Sequence, residues 1–247
     1  MLSSVKGTRR TTSVPAGMRM PLETLMRLVT STATGRCMPW NLLPGLRGRP
    51  VTVAVSASVW FRAASSPRSP AAAGPLLVAG PNLLHTEDEV RKVAEVFPSS
   101  TVLCGPSATV AATLGALDGR RDVHFAAHGH HEPGNFLFSR LDLADGPLMA
   151  YDIHQLDAVP AHVVLSSCDI GRNVVRTGNE MLGFTAALLY SGTSTVIAGV
   201  RRVPDDLSLQ VMSMYHQMRA LDVRPVAALA AATENGPPVP LVCFGCG

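Results

Sequence analysis

Charged side chains are scarce in this chain of 247 residues, where Asp, Glu, Lys and Arg together make up only 16%. Apolar residues reach 47%, so the chain is poorer in charge and richer in core-forming side chains than an average soluble domain. A sheet with helices on both faces uses such a surplus, because its strands are buried on both sides. Composition and length together predict one large α/β domain or two small ones.

The chain also lacks the cysteine pattern of a disulfide-stabilised protein. Its five cysteines are odd in number and mostly scattered, and its first twenty residues have no apolar core of the kind that a secretory signal needs. We therefore expect a reducing, cytoplasmic location. Cys243 and Cys246 have the C-x-x-C spacing, but no second pair accompanies them, which favours a structural role over a metal site.

Two classes of partner are disfavoured by what is missing. The long uncharged stretch at 181–200 approaches the length of a membrane span, but it contains several Ser and Thr residues and a Ser191-Gly192 turn. It predicts a buried helix, a turn and a buried strand. Residues 1–70 hold ten Lys/Arg and a single acid, yet the basic residues are spread out without aromatic neighbours. Neither a membrane nor a specific nucleic acid is therefore an expected partner.

The front of the chain shows little regular pattern. Residues 1–35 are predicted to form a basic tail that is disordered or holds a short helix at 21–34, where apolar residues recur at helical spacing. Residues 63–75 are rich in Ser, Pro and Ala, a composition that predicts a flexible loop.

Most of the chain alternates between short apolar strands and helical patterns. The predicted strands are 51–55, 76–79, 101–104, 123–127, 163–166, 195–198 and 241–244, and the predicted helices are 86–97, 107–117, 180–190, 205–221 and 224–234. Such alternation is typical of an α/β fold with a mostly parallel sheet flanked by helices. In these sheets the reacting groups collect at the carboxyl ends of the strands.

Two of the predicted strands end in residues with reactive side chains. The strand at 123–127 is followed by His128 and Gly129, and the strand at 163–166 is followed by Ser167 and Cys168. If the strands are neighbours, an imidazole and a thiol face one crevice, the pairing that cysteine peptidase chemistry requires. The spacing alone leaves the alternatives open, in which Cys168 is a small buried hydrophobe and His128 a polar turn residue.

The segments around these two residues resemble a known family. Those that carry the resemblance are PWNLLPG, LLVAGPNLLHTEDEV, VLCGPSATVAATLGAL, HFAAHG, VVLSSCDIG, GNEMLGFTAALLYSGTSTVIAGVRRVPDD and VCFGCG. In this order they are similar to the CHAT domain, a caspase-like cysteine peptidase domain that is often fused to TPR repeats. The resemblance covers roughly residues 36–247. One departure is Arg201, which stands where family members commonly have Trp.

The resemblance implies a caspase-haemoglobinase fold and a His/Cys dyad without a cofactor. His128 is then the general base and acid, Cys168 the nucleophile, and the amides of Gly129 and Cys168 the oxyanion hole. Asp169 matches the family's acidic residue beside the nucleophile. The implied activity is endopeptidase cleavage of a protein or peptide in bacterial signalling or defence, with a TPR protein as a regulatory partner.

The side chain that the enzyme prefers before the scissile bond stays open. Asp205 and Asp206 favour a basic side chain, whereas Arg172 and Arg176 favour an acidic one, and all four lie on loops predicted near the site. Solvated loop charges are the plainer interpretation of the same residues.

Two other functions compete with the peptidase. A metal-dependent hydrolase would use the clustered histidines with nearby acids, although no H-E-x-x-H pattern is present; these residues are His124, His128, His130, His131, Asp122, Glu132 and Asp169. The other alternative is a CHAT-like module that has lost turnover and acts as a scaffold.

Overall fold

The computed structural model describes residues 26–29, 38–65, 73–83, 85–132, 134–166, 180–201, 203–234, 236 and 238–247. The strands are β1 (Met26–Val29), β2 (Val51–Ala54), β3 (Leu76–Ala79), β4 (Thr101–Leu103), β5 (Asp122–Ala126), β6 (Gly129–His130), β7 (Arg140–Leu143), β8 (Gly146–Met149), β9 (His162–Ser166), β10 (Thr195–Gly199) and β11 (Leu241–Gly245). The helices are α1 (Ala57–Ser65), α2 (Thr86–Val96), α3 (Val110–Leu117), α4 (Ala150–His154), α5 (Glu180–Ser191), α6 (Asp205–Ala220) and α7 (Pro225–Glu234).

Eight of these strands form one sheet in the order β1-β2-β11-β10-β9-β5-β3-β4. β10 and β11 pair antiparallel, and the other neighbours pair parallel. The five strands from β10 to β4 therefore run in one direction, and we call the side where they end the carboxyl edge. The mostly parallel α/β sheet that the sequence predicts is confirmed.

The sheet is buried on both faces, as its apolar strands require. Alternate strand residues such as Phe125 and Leu165 pack under α3, α5 and β6–β8. The residues between them, such as Val164 and Ile197, pack under α6 and α7, and those of β3 pack under α2. The surplus of apolar residues is thus used in a three-layer core. Among the described residues, no helix is long and apolar enough to cross a membrane.

The long uncharged stretch folds as its composition predicts. It forms α5, a turn at Gly192 with a φ of 119°, and β10. Gly245 approaches the preceding turn so closely that a Cβ would touch the Ser194 carbonyl. β10 and β11 are therefore held side by side with little room for larger residues.

Two predictions near the front of the chain are wrong. Met26–Val29 is not helical but forms β1, which pairs parallel with β2 so that Met26 lies opposite Val51. A short apolar run can form a helix or a strand, and the presence of a neighbouring strand determines which one forms. The predicted loop at 63–75 begins too early, because α1 continues to Ser65. Arg62 fixes this helix by donating to the carbonyl of Tyr190, at 2.7 Å. Residues 66–72 lie outside the described residues.

The segment between His128 and β9 holds elements that the sequence analysis missed. β6, β7 and β8 form a small antiparallel sheet, and α4 follows it. These strands are two to four residues long, too short for a clear alternation of apolar and polar residues. The helix predicted at 107–117 also starts later, at Val110, because Thr109 caps it by accepting from the amide of Ala112 at 3.1 Å.

Candidate active site

The ends of β5 and β9 lie side by side at the carboxyl edge. The two strands are parallel neighbours, and their last paired residues are Ala126 and Ser166. His128 follows Ala126 by two positions, and Cys168 follows Ser166 by two positions. Counted along the sequence, the two residues therefore follow this last pair by the same number of positions. Cys168 and Asp169 themselves lie outside the described residues, as do Arg172 and Arg176.

Two backbone contacts fix the chain on the histidine side. The amide of Gly80, directly after β3, donates to the carbonyl of Ala126 at 2.7 Å. A Cβ on Gly80 would stand 2.6 Å from the Cβ of Ala127 and 2.7 Å from the carbonyl oxygen of Asp142. The amide of Asp142 in turn donates to the carbonyl of His128 at 2.8 Å. His128 is half-buried at this junction between the large and the small sheet.

Within the ladder of β6 and β7, the Gly129 amide has no partner on β7. Gly129 pairs with Leu141, and the neighbouring His128 is bonded to Asp142. In antiparallel ladders, hydrogen-bonded and non-hydrogen-bonded pairs alternate. Gly129 therefore falls on a non-bonded pair, and its N–H is directed away from β7. A backbone donor next to the imidazole is what an oxyanion hole requires.

The end of β9 is fixed from the opposite face of the sheet. The hydroxyls of Ser166 and Ser208 lie 2.7 Å apart and both side chains are buried. Ser208 belongs to α6, whose first residue is Asp205. Asp206 is exposed in the first turn of this helix, and Arg201 is exposed two residues after β10. These charges all follow a strand that ends at the carboxyl edge.

The histidines that a metal site would share are engaged separately. His124 points into the core, where its Nε2 lies 2.9 Å from a Glu89 carboxylate oxygen and its Nδ1 lies 3.0 Å from Nε2 of His216. His130 pairs with Asp142 at 2.9 Å on the surface. His131 lies 3.4 Å from the hydroxyl of Ser139. Within the described ranges, no group of three or more His, Cys, Asp or Glu residues has the arrangement of a metal site.

A cavity of about 120 Å³ opens at the amino ends of β5 and β9, the end of the sheet opposite to His128. Two hydrogen-bonded chains border it. In one, Nε2 of His124 lies against the Glu89 carboxylate and Nδ1 of His124 lies against Nε2 of His216. In the other, Asp122 accepts from Nδ1 of His162 at 2.9 Å, and the hydroxyl of Tyr215 donates to Nε2 of His162 at 2.7 Å. All four ring and phenol groups are buried.

Burial changes the protonation of this polar cluster. It lowers the pKa of His162 and holds the pKa of His216 well below its usual value, because a charged imidazole would lose its hydration. Burial also raises the pKa of Tyr215 well above its usual value. It acts to raise the pKa of Asp122 too, but the hydrogen bond from His162 and the Arg219 guanidinium outweigh it and bring that pKa to about 2. Burial therefore favours the neutral imidazole at His162 and His216.

The residues that hold the carboxyl edge together were not predicted from the sequence. Gly80, Asp142, Ser139, Ser208 and Gly183 are each remote in sequence from the residue they contact. The clearest available signal was Gly80, which directly follows an apolar strand and so marks a close approach of backbones.

Comparison with known proteins gives one family and one fold. The model of the CHAT domain family matches residues 18–235. The search of curated proteins finds no match. Among solved structures, the chain is similar to a chain of the Saccharomyces cerevisiae separase–securin complex, with 12% sequence identity and a TM-score of 0.56. The match covers 86% of this chain but only 15% of that one. At this identity the similarity shows the fold, which is that of the caspase-like domain of separase.

Proposed function

The chain belongs to the CHAT domain family, and we propose that it is a cysteine endopeptidase of the caspase type with Cys168 and His128 as its catalytic pair. The observation that carries the proposal is the register of β5 and β9, in which Ala126 pairs with Ser166. In the sequence each reactive residue follows this last pair by two positions, which supports a pairing of the imidazole and the thiol at neighbouring strand ends.

The chemistry follows from these two groups. The thiolate of Cys168 attacks the peptide carbonyl, and a C–S bond forms as the carbonyl oxygen takes the negative charge. The N–H of Gly129, which points away from β7, donates to that oxygen. His128 then protonates the leaving amine as the C–N bond breaks, and it deprotonates the water that releases the acyl group.

A protein or peptide is the substrate class that this site fits. The solved neighbour is a chain of a separase–securin complex, and a protein partner or substrate is in keeping with that similarity. Asp206 is exposed in the first turn of α6, where its charge and that of Asp205 would favour a basic side chain before the scissile bond. Binding to a TPR protein and a role in signalling or defence remain predictions from the family.

Cleavage of a peptide library by the purified chain tests the proposal. We expect cleavage by the parent chain, and none above background by Cys168→Ala, because the nucleophile is gone. His128→Ala should reduce the cleavage rate by about 10²-fold or more, since general acid–base catalysis typically contributes that much. Fragments are identified by mass spectrometry, which also reports the preferred side chain.

His130→Ala is the matched control for the histidine variant. His130 lies two residues away, is exposed, and pairs with Asp142 at 2.9 Å. It should leave the cleavage rate within about twofold of the parent, the size of effect expected of a surface substitution. A folded parent chain that cleaves no peptide would favour the scaffold alternative. Cleavage that survives in Cys168→Ala would exclude this mechanism.

A further inference from the structure

Helix α5 touches the small sheet at a point where no side chain fits. A Cβ on Gly183 would collide with the hydroxyl oxygen of Ser139 and with Nδ1 of His131, and it would stand 2.9 Å from the Cβ of Ser139. Gly183 is buried, and Ser139 is fully buried. The absence of a side chain at position 183 thus sets how closely α5 approaches the two residues.

Ser139 is rigidly held at this contact. Its amide donates to Phe136 at 3.1 Å, and its carbonyl accepts from Ala150 at 2.8 Å. Its hydroxyl accepts from the amide of Glu132 at 3.1 Å and lies 3.4 Å from Nδ1 of His131. Because both backbone groups and the side chain are bonded, Ser139 cannot move aside to make room for a Cβ on α5.

The contact and the catalytic histidine are opposite ends of one ladder. β6 and β7 pair Gly129 with Leu141 and His130 with Arg140. The same register places His128 opposite Asp142, where the bond to the His128 carbonyl is observed, and His131 opposite Ser139. Three residues of extended chain span about 10 Å. A displacement of His131 and Ser139 is therefore transmitted along three residues of extended chain to His128.

The helix on the other side of the contact follows Cys168 in the sequence. α5 begins at Glu180, twelve positions after Cys168, and Gly183 lies in its first turn. We propose that the contact of Gly183 with His131 and Ser139 is a positioning element that fixes the place of His128 in the active site. This inference rests on the proposed function, because it assumes that His128 and Cys168 act as a pair.

The alkylation rate of Cys168 with iodoacetamide, followed from pH 6 to pH 9.5, tests the inference (pH range chosen to span about two units below and one above an ordinary thiol pKa). Mass spectrometry of the Cys168 peptide separates it from the other cysteines. In the parent chain the paired thiolate should react near neutral pH. Gly183→Ala should slow the reaction at pH 6.5 by about tenfold or more, since misplacement of about 1 Å can cost more than that. Its profile should also move towards that of a free thiol, near 8.5.

Gly115→Ala is the matched control. Gly115 also lies within a helix, α3, but a Cβ there meets nothing within 4 Å. It should leave both the rate and the pH profile unchanged. If circular dichroism shows that Gly183→Ala does not fold, the alkylation rate is measured in Ser139→Ala instead. This variant keeps the Cβ at position 139 but removes the hydrogen bond to the amide of Glu132. We expect its alkylation to be about threefold slower than in the parent, in keeping with the loss of one hydrogen bond.

The outcomes separate this inference from the proposed function. Slow alkylation in both His128→Ala and Gly183→Ala, with Gly115→Ala like the parent, supports the positioning role. The positioning role alone is overturned if the alkylation rate falls in His128→Ala but not in folded Gly183→Ala. Where Ser139→Ala replaces Gly183→Ala, an unchanged rate in Ser139→Ala has the same meaning. A rate that is unchanged in His128→Ala overturns both.

Discussion

Gly80 decides how closely β3 and β5 approach each other where they leave the sheet. The carbonyl of Asp142 and the Cβ of Ala127 occupy the space that a side chain at position 80 would need. Asp142 is also the residue that bonds the carbonyl of His128. The absence of a side chain at position 80 therefore lets three segments meet next to His128.

We expect Gly80→Ala to lower the free energy of unfolding by about 1–3 kcal/mol, the usual cost of forcing extra volume into a packed site. Urea unfolding followed by circular dichroism measures it. Gly45→Ala is the control, because a Cβ at Gly45 meets nothing within 4 Å, and it should stay within about 0.5 kcal/mol of the parent. Equal unfolding free energies in the two variants would contradict the close approach.

At the scale of elements, the long apolar strands were predictable and the small sheet was not. β5 and β9 are runs of β-branched and apolar residues, and this pattern alone places His128 and Cys168 just beyond strand ends. The pattern does not state which strands are neighbours, and the pairing of Ala126 with Ser166 came from the structure. Family resemblance supplied the roles of the two residues.

The contacts that support the site could not be predicted because they join distant elements. Ser166 and Ser208 are on a strand and a helix 42 positions apart, and an isolated serine in each carries no local signal. Gly183 likewise looks like a weak point in a helix until Ser139 is seen against it. Likewise β1 is a strand through its pairing with β2, which the apolar spacing of its own residues does not reveal.

At the scale of the whole molecule, the two ends of the sheet carry different groups of polar residues. The carboxyl edge holds His128, the proposed catalytic histidine, whereas the amino ends of β5 and β9 border a cluster of buried polar groups. The charged and titratable groups that face this cluster come from α2, β5, β9 and α6 and the residues beside them; they are Glu89, Arg121, Asp122, His124, His162, Tyr215, His216, Arg219 and Asp222.

This cluster predicts that the fold loses stability in mild acid. Burial lowers the pKa of His162 and His216 in the folded chain, so below the usual value of 6.5 the unfolded chain binds more protons. The contribution of these two histidines to the free energy of unfolding is therefore fully present above about pH 7, and it is lost as the pH drops below about 6.5. Between pH 7.5 and pH 5.5 we expect a loss of up to about 1.4 kcal/mol per histidine, measured by urea unfolding at each pH.

His216→Gln tests the origin of this loss. Without the imidazole the difference between the two pH values should shrink. His85→Gln, at an exposed histidine before α2, should leave the difference as in the parent. An unfolding free energy that is equal at pH 7.5 and pH 5.5 in the parent would mean that the buried imidazoles do not govern acid stability.

The central claim is that His128 activates Cys168, and the thiol itself reports it most directly. The measurement is the iodoacetamide alkylation rate of Cys168 at pH 6.5 in the parent chain and in His128→Ala, resolved by mass spectrometry. The account predicts that the parent reacts at least about tenfold faster, because the paired imidazole keeps the thiol ionised well below its usual pKa of about 8.5. Equal rates in the two folded chains would contradict it.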